Sequence, residues 1–155
     1  MKKILLAALL ATTLSQASAQ GVDIRNAFKQ MPDSLMPYLS KNNRLDFIDF
    51  LDSGMRAEVK NSLGGTSEML SLGSDSLTIR MNQSLDVHLL AIDSVLVMVE
   101  TFKVDSIYGE SRVHYYSADW QPIAAPVLPE AQQRRIDNLK LQNIVKRDDD
   151  LLNKR

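Results

Sequence analysis

Leu85-Asp86-Val87-His88-Leu89-Leu90-Ala91-Ile92-Asp93-Ser94-Val95-Leu96-Val97-Met98-Val99-Glu100-Thr101-Phe102 carries the clearest structural signal in the chain. It holds two runs rich in Val, Leu and Ile, alternating in part, divided by Asp-Ser. Such residues suit a pleated, half-buried surface. An Asp side chain bonds the backbone two residues on and initiates a turn. Asp93-Ser94-Val95 therefore reads as a turn followed by a strand. The same signal stands at Asp75-Ser76-Leu77 and Asp105-Ser106-Ile107, with an earlier copy at Asp33-Ser34-Leu35. Strands are expected at Met69 to Leu72, Leu77 to Met81, Leu85 to Ile92, Val95 to Val104 and Arg112 to Tyr116. Short connections between successive strands imply an antiparallel meander. The spacing is too irregular for a repeat protein.

Upstream of this sheet the period changes to that of helices. Asp23 caps a short helix through Ile24, Ala27 and Phe28, and Pro32 and Pro37 break the chain. A second helix carries Leu45, Phe47, Ile48, Phe50 and Leu51, with Asn42 or Asn43 as the expected cap and Gly54 as its end. Asp46, Asp49 and Asp52 share the narrow strip left over. Asp52 near the helix end is electrostatically unfavourable, which points to a Lys or Arg partner or to a facing protein. Gly64-Gly65 is a turn. Residues 122–129 are Pro- and Ala-rich and read as a linker. Residues 130–155 are polar, with Ile136, Leu139, Ile144 and Val145 at roughly helical spacing. Two readings stand for them: a solvated tail, or a terminal helix lying on the domain or on a partner.

The fold class expected is thus α+β: N-terminal helices packed on a meander of about five antiparallel strands, with a polar C-terminal tail. The chain has 155 residues, 45% hydrophobic and 24% charged, the profile of one globular domain rather than of disorder. The expected organisation is residues 1–19 as a signal peptide, 20–126 as the domain and 127–155 as linker and tail. Lys2-Lys3, the apolar run Ile4 to Leu10 and the small residues Ala17-Ser18-Ala19 form a basic n-region, an h-region and a cleavage site, leaving Gln20 first. That address is periplasmic or secreted. No later run is long enough to cross a bilayer. The mature chain is slightly acidic, which argues against nucleic acid. With no cysteine, it has no disulfide, no thiol nucleophile and no lipid-modified cysteine, so it is expected to be soluble and not a lipoprotein.

Recognisable catalytic motifs are missing: no H-E-x-x-H, no G-x-S-x-G, no phosphate-binding loop and no dinucleotide fingerprint. No cofactor is expected. The two histidines, His88 and His114, fall in strands, and Glu100 lies on the strand between them. A cross-strand row of His88, Glu100 and His114 would suit zinc if 88 opposed 100, and a slip of one residue would send them to opposite faces. His114, Tyr116 and Trp120 fall on one side if the last strand continues through Ala118. Exposed, Tyr116 and Trp120 would stack on sugar rings or anchor a partner; otherwise they form the face packed beneath the helices. Three carboxylates on one rigid helix, Asp46, Asp49 and Asp52, cannot wrap calcium alone.

Met31-Pro32-Asp33-Ser34-Leu35-Met36-Pro37-Tyr38-Leu39 runs on into Lys41-Asn42-Asn43-Arg44-Leu45-Asp46-Phe47-Ile48-Asp49-Phe50. With Ala57-Glu58-Val59, Leu63-Gly64-Gly65, Ser67-Glu68-Met69, Val99-Glu100-Thr101-Phe102 and Tyr115-Tyr116-Ser117…Trp120, this resembles a domain-of-unknown-function family of exported proteins from Bacteroides-type bacteria. The resemblance covers roughly residues 23 to 125, and the chain departs from it after about Pro126. It implies a compact α+β domain and an envelope address, and it transfers no catalytic residue. A missing closing element would leave an exposed sheet edge for another chain. The function expected is that of a non-catalytic envelope protein binding another macromolecule, an envelope protein or a glycan. The alternative is a small-ligand, glycan or metal-binding protein or hydrolase using a strand-borne His/Glu site.

Overall fold

The computed structural model describes residues 21–104 and 109–141. Residues 1–20, expected to hold the signal peptide, the Asp105-Ser106-Ile107 signal expected to start a turn, and residues 142–155 with Ile144 and Val145 lie outside them. Helix α1 spans Ile24–Gln30, and Asp23 caps it by accepting from the amides of Arg25 (2.9 Å) and Asn26 (3.3 Å). A 3-10 turn, Asp33–Leu35, separates it from helix α2, Lys41–Asp52. The cap of α2 is Ser40 rather than Asn42 or Asn43. Ser40 accepts from the Asn43 amide while the Asn43 side chain accepts from the Ser40 amide, a reciprocal capping box. Gly54 follows at φ +68, where a side chain would be strained.

Among the described residues six strands follow: β1 (Glu58–Lys60), β2 (Thr66–Leu72), β3 (Ser76–Asn82), β4 (Leu85–Ile92), β5 (Val95–Lys103) and β6 (Gly109–Ser117). Their order in the sheet is their order in the chain, and every described pairing is antiparallel. The α+β meander is therefore as expected, with one more strand at its start. Helix α3, Glu130–Leu141, closes the described chain.

The alternation of each strand builds two cores. Leu77, Ile79, Leu89, Leu96 and Met98 point to α1 and α2, where they meet Ile24, Phe28, Phe47 and Ile48. Leu90, Ile92, Val97 and Val99 point the other way and meet Ile136 and Leu139 of α3. Ile136 is 0% exposed, and Arg135 reaches Asp75 at 3.0 Å, so residues 130–141 are a helix lying on the domain. The arrangement is three layers, helices on both faces of the sheet, because β4 and β5 are apolar on both faces. Asp52 of α2 pairs with Arg25 of α1 at 2.9 Å, which offsets its unfavourable place at the helix end.

Candidate functional site

The loop between α1 and α2 builds one wall of a largely apolar pocket on the α1/α2 face of the sheet. Arg44 is 1% exposed and reaches under this loop from α2. Its Nη1 donates to the Leu39 carbonyl at 2.8 Å and its Nη2 to the Met31 carbonyl at 2.6 Å, with Asp33 Oδ1 at 2.8 Å. The guanidinium thus pins both ends of residues 31–39. Leu35, Met36, Pro37 and Tyr38 then face the sheet across a cavity of about 190 Å³. Its floor is Met81, Leu85, Val87, Met98 and Phe102, and Glu100 is the acid that lines it. Tyr38 is itself held, its hydroxyl accepting from Asn82 Nδ2 at 3.0 Å.

Register decides what Glu100 meets. Strands β5 and β6 pair without a bulge, placing His114 opposite Met98 and Arg112 opposite Glu100. His114 Nε2 lies 3.3 Å from Glu100 Oε2. The Arg112 guanidinium sits over the Phe102 ring, 5.2 Å from its centroid. Burial pushes the Tyr116 phenol up, and the Glu100 carboxylate nearby adds to it.

His88 does not join this group. It pairs with Val99, one residue from the register that would oppose it to Glu100, so it projects to the α3 face. The expected His88–Glu100–His114 row is therefore divided by the thickness of the sheet, and among the described residues no three such ligands converge. The cause is the two-residue connection Asp93-Ser94: Ile92 faces Val95, and every later pair follows from it. On its own face His88 Nδ1 is 3.0 Å from Thr78 Oγ1. Beside it Asp86 takes Lys103 at 2.7 Å and Arg80 at 3.3 Å.

Burial is the main cause that holds the His88 imidazolium below the ordinary histidine range; Asp86 opposes this shift and Lys103 adds to it. The folded state therefore binds this proton less well than the unfolded chain. The associated stability is fully present above the unfolded value of about 6.5 and is lost as pH falls towards the folded value. Melting temperature is expected to decline between about pH 7 and pH 5. In His88→Gln that part of the decline should flatten. An unchanged slope in parallel unfolding scans would show that His88 is not its source. The depressed carboxylates Glu68, Asp75 and Asp137 act in the acid range, outside this window.

The aromatic residues are core. Tyr116 and Trp120 are 7% and 4% exposed, with ring centroids 5.5 Å apart. Strand β6 ends at Ser117, and the chain turns back so that Trp120 Nε1 donates to the Ala27 carbonyl of α1 at 2.9 Å. Of the two readings of these aromatics, the structure shows the face packed beneath the helices and not an exposed stacking platform, while His114 remains partly open at the rim.

Sheet, pocket and covering helices define a class, an α+β protein whose antiparallel meander is held between two helical layers. Residues 16–152 match a family described as Protein of unknown function (DUF3256), and the chain belongs to that family. The match runs past Pro126, so the C-terminal region, α3 included, is part of the family pattern and not a departure from it. A domain of an uncharacterized protein from Porphyromonas gingivalis W83 has a similar fold, with a TM-score of 0.55 at 20% identity. The likeness covers 74% of this chain and 61% of that one, so this chain spans about three-fifths of that structure. No curated protein matches. Among the described residues no helix is long and apolar enough to cross a membrane.

Proposed function

We propose that this is an exported, non-catalytic binding protein of the cell envelope, periplasmic or secreted, which takes an extended segment of a partner polypeptide along the outer edge of β6. Export rests on Lys2-Lys3, the apolar run after them and Ala17-Ser18-Ala19. Binding rests on one observation, the half-finished pairing of β6. The Ser117 amide donates to the Gln121 carbonyl and the Ile123 amide to the Tyr115 carbonyl, both at 2.9 Å. After Ile123 the chain leaves the edge for α3. By the two-residue period, Ser111 and Val113 aim their amides and carbonyls outward in the same way. Among the described residues no strand takes them up.

A groove of about 310 Å³ runs beside this edge, lined by Val113, Tyr115, Pro122 and Ile123 among others. Ile123 is 40% exposed there. Main-chain bonds would supply affinity and the groove selectivity, as in strand addition generally. The opposite edge contrasts with it. Strand β1 has three residues and its Glu58 is paired with Arg56, the usual protection of a sheet edge.

The test is photo-crosslinking of tagged Gln20–Arg155 in its native envelope from a photo-activatable residue at Ser111, with and without Val113→Pro. Proline removes one outward amide, which an edge strand tolerates. The expected result is a protein adduct that Val113→Pro reduces up to about tenfold while melting stays near native. An adduct yield indifferent to Val113→Pro, or no adduct, would overturn the reading.

A further inference from the structure

The cavity beneath the 31–39 loop is a second, independent site, and we infer that it binds a small primary amine with a compact apolar body. Three features set it apart from a packing gap. First, its wall is built. A buried arginine fixes both ends of the loop that carries Met36 and Tyr38. Second, its floor of Met81, Val87 and Met98 is apolar and adaptable, since thioethers reshape around a guest. Third, the apolar surface ends on a carboxylate, Glu100.

Glu100 selects the head group. A carboxylate offers about four acceptor positions. The described partner of Glu100, His114 Nε2 at 3.3 Å, takes one of them. Arg112, opposite Glu100 in the sheet, is stacked on Phe102. An ammonium group arriving through the cavity would thus meet a charged acceptor with capacity to spare. A carboxylate ligand would meet like charge, and an alcohol would gain only a neutral bond. Size limits the body. A cavity of about 190 Å³ exceeds the roughly 150 Å³ that accommodates benzene in an engineered apolar cavity. Benzylamine and n-hexylamine are of that scale.

The test compares benzylamine, n-hexylamine, n-hexanol and hexanoate at equal concentration, by thermal shift and by titration calorimetry. The amines should raise the melting temperature in proportion to the logarithm of concentration. Hexanol should bind at least about tenfold more weakly, and hexanoate should leave melting unchanged. In Glu100→Gln, amine and alcohol should bind alike while the unliganded protein melts near the native temperature. Chemical-shift changes should centre on the methyl groups of Met81 and Met98. Equal binding of amine and hexanoate, an amine preference that survives Glu100→Gln, or no binding by any of the four would each overturn the assignment. Val113→Pro should leave amine binding intact, so this site and the β6 edge stand or fall separately.

Discussion

Trp120→Ala is expected to lower folding stability by about 3–5 kcal/mol, the usual cost of emptying a large aromatic site. For a domain of this size that is on the order of 10–20 °C in melting temperature. The indole is 4% exposed, packs on Tyr116 and gives its one N–H to the Ala27 carbonyl. Truncation would empty the space under α1 and leave that carbonyl without its indole donor. Trp120 also holds φ at +63°, a left-handed conformation that disfavours ordinary residues by about 1–2 kcal/mol. Packing sustains that conformation, so the loss of packing and the strain act together. Trp120→Phe keeps most of the bulk and removes the hydrogen bond, and should cost roughly 1–2 kcal/mol. Chemical denaturation of both variants checks the order. Near-native unfolding of Trp120→Ala would mean that this side chain is not part of the core.

Arg44→Met is expected to cost about 3 kcal/mol or more. The substitution keeps an apolar stem of similar reach but leaves the carbonyls of Met31 and Leu39 without their donors in the interior. Each such unpaired group costs about 1–3 kcal/mol. Arg44→Lys should recover less than half of the loss. One ammonium centre replaces a planar fork that reaches two carbonyls from separate nitrogens. Asp33→Asn should matter far less, because the Asp33 carboxylate is 63% exposed and screened by water. A second readout separates positioning from general stability. If Arg44 sets the cavity wall, Arg44→Met should weaken benzylamine binding even at temperatures where the variant is fully folded. Equal affinity in the folded variant would leave Arg44 a purely structural residue.

Much of this fold was legible in the chain. The partial alternation of residues 85–102, the Asp-Ser turns and the helical period before them lead to the antiparallel meander with N-terminal helices. Strand β1 was not legible, since Glu58-Val59-Lys60 is too short to show a period. Arg44 was hidden for a different reason. A charged residue on the apolar stripe of α2 reads as solvent-facing until the carbonyls that receive it are in place. Ser40 is not legible as a cap because its partner at the third helical position is Asn43, not the commoner Glu or Gln. The separation of His88 from Glu100 had a signal in the sequence. A two-residue turn at Asp93-Ser94 makes 92 face 95 and therefore 88 face 99.

The chain's own pattern thus specifies what is local and periodic: which segments extend, which coil, where they turn, and the α+β class that follows. Long-range packing assigned the rest. It placed Ile136 against Val97 and Val99, turned Trp120 beneath α1, and brought His114 to Glu100 while sending His88 to the opposite face. The physical reason is that a strand's period specifies two faces without saying which is which. Only the pairing register and the helices that cover each face assign them, and both are set by contacts between residues distant in the chain.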